Sequence, residues 1–394
     1  MTARSAPVLS VFSEDSLNRC TIALSETREE IRIFAGVHEE DGFFRIRIQF
    51  LLTGKRFTEP YTISLLVDTR PVSFSQALAV VSQWWEEECG LTPAKVPEAA
   101  RKPMYSTWYS FHQQFTSDAL EKECSLAAKA GLETVIVDDG WQADDVNRGY
   151  AYCGDWEVCP SKIPDMRKHV DRIHELGMKY MLWLSVPFVG IRSGNWERFE
   201  DKMLYYSETM SAGVLDPRYP EVRQFLVDTY RNAVENYDLD RLKLDFIDSF
   251  VATADTPGYR KGMDFTDVQP ALDCLMTRVA ETLTQLNPEF LIEFRQNYIG
   301  PNIRKYGNMF RVSDCPNSAP SNRIGIVDFP KNCEKLTVLN GSKGKWFYVS
   351  VPQDRKCHVK ILNCCGELVI EDEKTINAGV CRLPATVGGV LELH

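Results

Sequence analysis

A chain of 394 residues that is 44% hydrophobic, 25% charged and 11% aromatic has the composition of a globular protein and room for about two or three domains. Its net charge of −10 is spread over interleaved acids and bases, with no basic stripe of the kind that holds nucleic acid or an anionic membrane. An acidic surface of this type repels polyanions and suits a neutral or cationic small substrate.

The chain opens on MTARSAPVLSVFSED, which lacks the apolar core of a signal peptide, and no later run has the length of a membrane span. Residues 1–100 read as a β-rich segment. Ile46, Ile48 and Phe50 alternate with Arg45, Arg47 and Gln49, the period of a half-buried strand, and Tyr61–Val67 is a second such run. Ser75–Glu88 reads as a helix carrying Trp84 and Trp85, and a Pro- and Ala-containing linker follows over Thr92–Pro103.

From Met104 strands and helices alternate. Strands are predicted at Met104–Tyr109, Thr134–Asp139, Lys179–Ser185, Arg241–Phe246, Phe290–Phe294 and Asn308–Val312. Helices are predicted at Asp118–Ala130, with Thr116 or Ser117 as cap, and at His169–Gly177. Two more follow from the 3.6-residue recurrence of Val222, Phe225, Leu226, Thr229, Tyr230 and Ala233, and of Leu272, Leu275, Met276, Val279 and Leu283. Repeated βα units imply a parallel sheet covered by helices. Their polar residues cluster at the C-terminal strand ends, where a (β/α)8 (TIM) barrel keeps its chemistry. After about Pro330 the pattern is all-β, at Leu336–Leu339, Trp346–Val351, His358–Leu362, Leu368–Ile370 and Val390–Leu393. The expected fold is therefore α/β: an N-terminal β-rich region over 1–100, a (β/α) barrel over 101–330, and a small C-terminal β-sandwich over 331–394.

In Arg-Leu-Lys-Leu-Asp-Phe at 241–246, Leu242, Leu244 and Phe246 share one face while Lys243 and Asp245 share the other, at the catalytic end of a barrel. An ammonium beside a carboxylate favours its charged form, which a nucleophilic carboxylate requires. Taken singly, the pair reads more readily as a structural ion pair near a strand end. Asp314, in Phe-Arg-Val-Ser-Asp-Cys, again lies just past a strand, with Arg311 nearby. Two carboxylates from different strands facing one pocket are the minimum equipment of a glycosidase, one attacking the anomeric carbon and one protonating the leaving oxygen. Asp138 and Asp139 in Val-Asp-Asp-Gly-Trp can accept hydrogen bonds from sugar hydroxyls, although Asp-Gly is also a common turn pair. Trp108, Trp141, Trp156 and Trp183, in or near strand ends, point toward carbohydrate, with Trp141 or Trp183 placed to stack on a sugar face.

The 12 Cys have no paired CxxC spacing and the 6 His form no ligand cluster, so no metal site is expected. No GxGxxG or GxxxxGK[ST] indicates a nucleotide. Reduced core thiols such as Cys124 and Cys274 fit a cytoplasmic protein.

Read in chain order, Trp-Tyr-Ser-Phe-His at 108–112, Val-Asp-Asp-Gly-Trp at 137–141, Gly-Asp-Trp at 154–156 and Leu-Trp-Leu-Ser-Val-Pro-Phe at 182–188 resemble glycoside hydrolase family 36, the α-galactosidases of melibiase type. So do Leu-Lys-Leu-Asp-Phe at 242–246, Phe-Arg-Gln-Asn-Tyr at 294–298 and Arg-Val-Ser-Asp-Cys at 311–315. The resemblance implies a retaining double displacement on terminal α-linked galactose, without metal or organic cofactor. It places the nucleophile on Asp245, the acid/base on Asp314, and the acids that hold the galactose 4- and 6-hydroxyls on Asp138 and Asp139. Lys243 matches the lysine near the nucleophile and Trp183 a pocket-lining aromatic; Arg295 and Arg311 match arginines near the site.

Two departures stand out. The N-terminal region is a remnant of the family's longer β-sandwich. Beyond Asp314 the family continues through two further strand–helix units, whereas here on the order of eighty residues are missing before the terminal β-domain. A barrel so shortened leaves a seam open to self-association into a homo-oligomer. A related specificity (α-N-acetylgalactosaminidase or galactosyl transfer) and a non-catalytic galactoside-binding protein remain alternatives.

Overall fold

A computed structural model describes residues 6–29, 31–50, 62–145, 147, 149–295 and 300–311, together with the backbone of six strands between Thr337 and Leu393. The chain divides into two units. One gathers residues 1–7, 25–62 and 85–314; the other gathers 8–24, 63–84 and 315–394.

The first unit is built on a six-stranded parallel sheet. Its strands are β1 (Met104–Ser106), β2 (Thr134–Val137), β3 (Lys179–Ser185), β4 (Arg241–Asp245), β5 (Leu291–Phe294) and β6 (Met309–Phe310). They lie side by side in chain order, the winding of a TIM-type barrel, in a sheet that curls without closing among the described residues. Four helices return the chain between strands: α1 (Ser117–Lys129), α2 (Met166–Glu175), α3 (Pro220–Tyr237) and α4 (Val268–Leu286). Local chemistry sets their starts. Thr116 accepts from Ala119 N at 3.4 Å, Asp165 accepts from Lys168 N at 3.1 Å, and Pro220 stands in the first turn of α3, where no N–H partner is needed.

Alternation along each strand sorts side chains between two environments. Val135, Val137, Leu182, Leu184, Leu242, Leu244, Ile292 and Phe294 face the helices and join one large core with Leu226, Tyr230, Leu275 and Val279. The opposite face points into the curl. There Ile136, Met181 and Leu291 form a small apolar floor, against which Met104 of β1 and Met309 of β6 also pack. Both edge strands thus reach one cluster. Ala99 and Ala100, from the short 3-10 turn Glu98–Arg101, pack against the same floor.

The expected strand Met104–Tyr109 ends at Ser106, because Thr107–Ser110 turns into a single helical turn. Between β3 and α3 lies an antiparallel sheet that the sequence did not announce, formed by Phe188–Gly190, Met203–Ser207 and Ala212–Leu215. Its strands are short and lack the β-branched alternation of the others. A separate hairpin pairs Arg32–Val37 with Phe44–Gln49.

In the second unit, Val8–Phe12, Asn18–Leu24 and Leu65–Asp68 make an antiparallel sheet. Thr337–Leu339, Trp346–Val351 and Gly379–Pro384 make another, and Leu368–Ile376, Arg355–Leu362 and Val390–Leu393 a third. No helix among the described residues is long and apolar enough to cross a membrane.

Gly190 is where the extra sheet meets the loop after β2. Its N–H donates to Cys153 O at 2.7 Å, and a Cβ built there would lie 2.1 Å from Ala151 O and 2.2 Å from Tyr150 O. Backbone atoms cannot yield as a side chain can. Gly190→Ala should therefore cost about 1–3 kcal/mol, read as a lowered urea midpoint. An unchanged midpoint would contradict this packing.

Candidate active site

The inward face above the apolar floor is charged. Lys243 of β4 lies in register with Trp183 of β3 and Glu293 of β5, and Asp138 follows the end of β2. Asp245 ends β4, and Arg295 follows β5. Asp138, Asp139, Lys243, Asp245 and Glu293 are all buried. Ionised side chains are costly to bury alone, so their partners decide what each can do.

Lys243 Nζ bonds to the Asp138 carboxylate rather than to Asp245. This departs from the expected pairing along one strand. The strand period sets Lys243 and Asp245 on the same face, whereas the curl brings the end of β2 to the Lys243 ammonium. Burial works to lower the Lys243 pKa, and the charges of Asp138 and Glu293 outweigh it, holding the ammonium above its usual value.

Asp245 has its own partners. Trp183 Nε1 donates to Oδ2 at 2.9 Å, and the Phe246 N–H donates to Oδ1 at 2.7 Å. Arg295 Nη1 stands 3.6 Å from Oδ1, with its guanidinium over the Phe246 ring at 4.8 Å. Phe246 adopts a left-handed conformation, φ 63, which turns its N–H back onto the carboxylate. Burial pushes the Asp245 carboxyl above the usual range, against the lowering effects of Arg295, Lys243 and the Trp183 hydrogen bond.

Asp139 accepts from Gln142 Nε2 at 2.8 Å and from Gln113 Nε2 at 2.7 Å. Burial raises its pKa to about 6, aided by the neighbouring Asp138 charge and opposed by the two amides. The Asp138 N–H donates to Thr107 Oγ1 at 3.0 Å, tying the two acids to the turn after β1. Gly140, at φ +111, lets the chain pass so close to Gln113 that a Cβ there would lie 2.7 Å from Gln113 Cα.

Glu293 and Gln113 are the site residues that sequence reasoning missed. Glu293 carried a signal: a carboxylate at period two from Leu291, on the inward face of an otherwise apolar strand. Burial raises its pKa, and Lys243 and Arg311 oppose the rise. Arg311 Nε lies 3.2 Å from Glu293, while Arg311 Nη1 donates to Tyr109 Oη at 2.7 Å. The residue after β6 thus reaches the turn after β1, across the open side of the sheet.

The tryptophans divide in role. Trp183 is fully buried and serves Asp245 through its indole N–H. Trp141, also fully buried, donates to Trp183 O at 2.8 Å and backs it from behind. Trp156 packs edge-on to Trp183 at 6.0 Å. Trp108 packs edge-on to His112 at 4.9 Å, beside Thr107. Asp155 of the Gly-Asp-Trp motif is a loop tie, accepting from Ser193 Oγ at 2.7 Å and Gly194 N at 2.9 Å. Asp314 lies outside the described residues.

A cavity of ≈ 170 Å³ borders Asp139, Gln113 and Tyr150, below the ~300–1,000 Å³ of sites for drug-sized ligands. Away from it, Asp171, His174 and Asp238 have the spacing of metal ligands. Arg167 already bonds both aspartates there, at 3.1 and 3.0 Å, supplying the positive charge itself.

Comparison with known proteins adds a family to this geometry. The Melibiase family model matches residues 85–295. Alpha-galactosidase Mel36A of Lactobacillus acidophilus is 26% identical over 179 residues, covering 43% of this chain and 24% of the relative. Alpha-galactosidase AgaA of Geobacillus stearothermophilus is 25% identical over 205 residues, covering 50% of this chain and 27% of the relative. The chain thus spans about a quarter of the length of these relatives. Among solved structures, the GH36 alpha-galactosidase AgaA in complex with raffinose superposes with a TM-score of 0.57 at 17% identity, covering 79% of this chain and 47% of that one. The Thermus thermophilus alpha-galactosidase TtGalA in complex with stachyose gives a TM-score of 0.56 at 18% identity, over 78% of this chain and 59% of that one. At this identity the structures speak for the fold.

The Lys243–Asp138 contact carries a stability consequence. Lys243→Ala should leave a buried carboxylate without its counter-charge and cost about 3–5 kcal/mol at neutral pH, read by urea denaturation. A loss of less than ~1 kcal/mol, the worth of an exposed ion pair, would contradict this pairing.

Proposed function

The chain belongs to the Melibiase family, and we propose that it is a retaining α-galactosidase acting on terminal α-linked galactose. One observation carries the reading: a buried carboxylate, Asp245, ends the fourth strand of a curled parallel sheet, pinned by two N–H donors and faced by Arg295. A nucleophile needs that fixed aim. In the proposed reaction Asp245 attacks the anomeric carbon, forming a glycosyl ester as the glycosidic bond breaks, while Asp314 protonates the departing oxygen. Water, deprotonated by Asp314, then cleaves the ester and frees Asp245. The role of Asp314 rests on its motif alone. Asp138 and Asp139 hold glycone hydroxyls through the lone pairs their protein partners leave. Trp183 and Lys243 keep Asp245 and Asp138 oriented, Arg295 and Arg311 supply positive charge around them, and Trp108 lines the approach.

The relatives' names, and the raffinose and stachyose bound in related structures, supply the substrate class. We place the catalytic region at 101–330, between the β-rich region over 1–100 and the β-sandwich over 331–394. A cytoplasmic location fits the described cysteines, which are free thiols.

Hydrolysis of p-nitrophenyl α-galactoside by the purified chain, beside Asp245→Asn, tests the proposal. The variant should lose roughly 10³-fold or more in kcat while keeping its fold. No turnover by a folded wild-type chain would sink the proposal and leave a binding-only relative.

The pH profile gives a second test. Asp245 must be ionised to attack, and its pKa is raised, so activity should be lost as pH falls while still above the ordinary aspartate value of ~3.9. Arg295 opposes that rise. Arg295→Gln should therefore move the acid limb of kcat/KM to higher pH; movement to lower pH would contradict the assignment.

A further inference from the structure

Tyr150 sits in the loop after β2, and no sequence motif singled it out. Its ring is clamped by aromatic neighbours: stacked on Trp183 at 6.0 Å and on Phe188 at 5.2 Å, with Phe246 edge-on at 5.1 Å. Trp183 donates to Asp245, and Phe246 both follows it and donates to it. The backbone is clamped too. The Tyr150 N–H donates to Met210 O at 2.8 Å, and Gly190 passes so close that a Cβ there would meet Tyr150 O at 2.2 Å. The residue also borders the cavity that Asp139 borders. Its phenol is held above the usual pKa by burial and by the charges of Asp139 and Asp245, so it stays a proton donor across the working pH range. None of the hydrogen bonds found among the described residues uses this hydroxyl.

A ring fixed on its faces and edge has only its hydroxyl left to address a ligand. We propose that Tyr150 is a specificity residue, whose hydroxyl donates a hydrogen bond to one ring hydroxyl of the glycone held between Asp139 and Asp245. The assignment rests on the glycosidase reading above. It adds a contact from the loop after β2, so sugar selection is shared between the strand ends and that loop. A site built to bond a substrate hydroxyl discriminates strongly against an analogue that lacks it.

The test uses the full chain, Tyr150→Phe, and p-nitrophenyl α-galactoside beside its 2-, 3-, 4- and 6-deoxy analogues. Phenylalanine keeps the aromatic clamp and removes only the donor. kcat/KM on the parent substrate should fall about tenfold, the worth of one hydrogen bond in a dry site. On the one analogue that lacks the partner hydroxyl the loss should disappear, which a structural role for Tyr150 would not produce. Wild-type turnover with equal kcat/KM in the variant, or the same loss on every analogue, overturns the Tyr150 assignment and leaves the glycosidase reading intact. A folded wild-type chain inert on the parent galactoside overturns both.

Discussion

Burying several carboxylates at the mouth of one parallel sheet is the constraint on which the rest of this site depends. Asp138, Asp139, Asp245 and Glu293 are each withdrawn from water, and each would be expensive there alone. Lys243 is the shared answer, bonded to Asp138 and level with Glu293. With Lys243 committed to Asp138, Asp245 is left to Trp183, the Phe246 N–H and Arg295. Those partners orient the carboxylate without quenching it. The residual cost appears as a raised Asp245 pKa, and at Asp139 as one near 6.

The same constraint bears on the six described strands of the sheet. Among the described residues a curled sheet of six strands has β1 and β6 as its edges, the arrangement that usually invites aggregation. Two features draw the edges toward a common interior. Met104 and Met309 meet the apolar floor from opposite sides, and Arg311 links Glu293 to Tyr109 beyond β1. The charged layer therefore serves the proposed chemistry and also ties together the end of the sheet where that chemistry would occur.

Much of this was legible in the residues. Lys179–Ser185 and Trp346–Val351 are strands over the expected bounds, because their apolar patterns end in clear breaks. The spacing of Val222 through Ala233 falls within helix Pro220–Tyr237. The inward face of β4 was readable from period two alone. Which cation meets which acid was not, since that depends on curl and register between strands far apart in sequence. Lys243 and Asp138 lie 105 residues apart along the chain. The Tyr150 loop was illegible for a similar reason: its placement comes from backbone contacts with Gly190 and Met210, which carry no composition signal. Gly-Asp-Trp was legible as a motif, and what its Asp155 does, tying a loop, shows only in the structure.

The account's central claim is that Asp245 forms a covalent bond to the sugar. Trapping with 2-deoxy-2-fluoro-α-galactosyl fluoride, followed by intact-mass measurement and peptide mapping, tests it most directly. The fluorine slows both steps, and the fluoride leaving group speeds the first, so the ester accumulates. A single added glycosyl mass on the peptide carrying Asp245 is the expected result. An active chain labelled on a different carboxylate would contradict it.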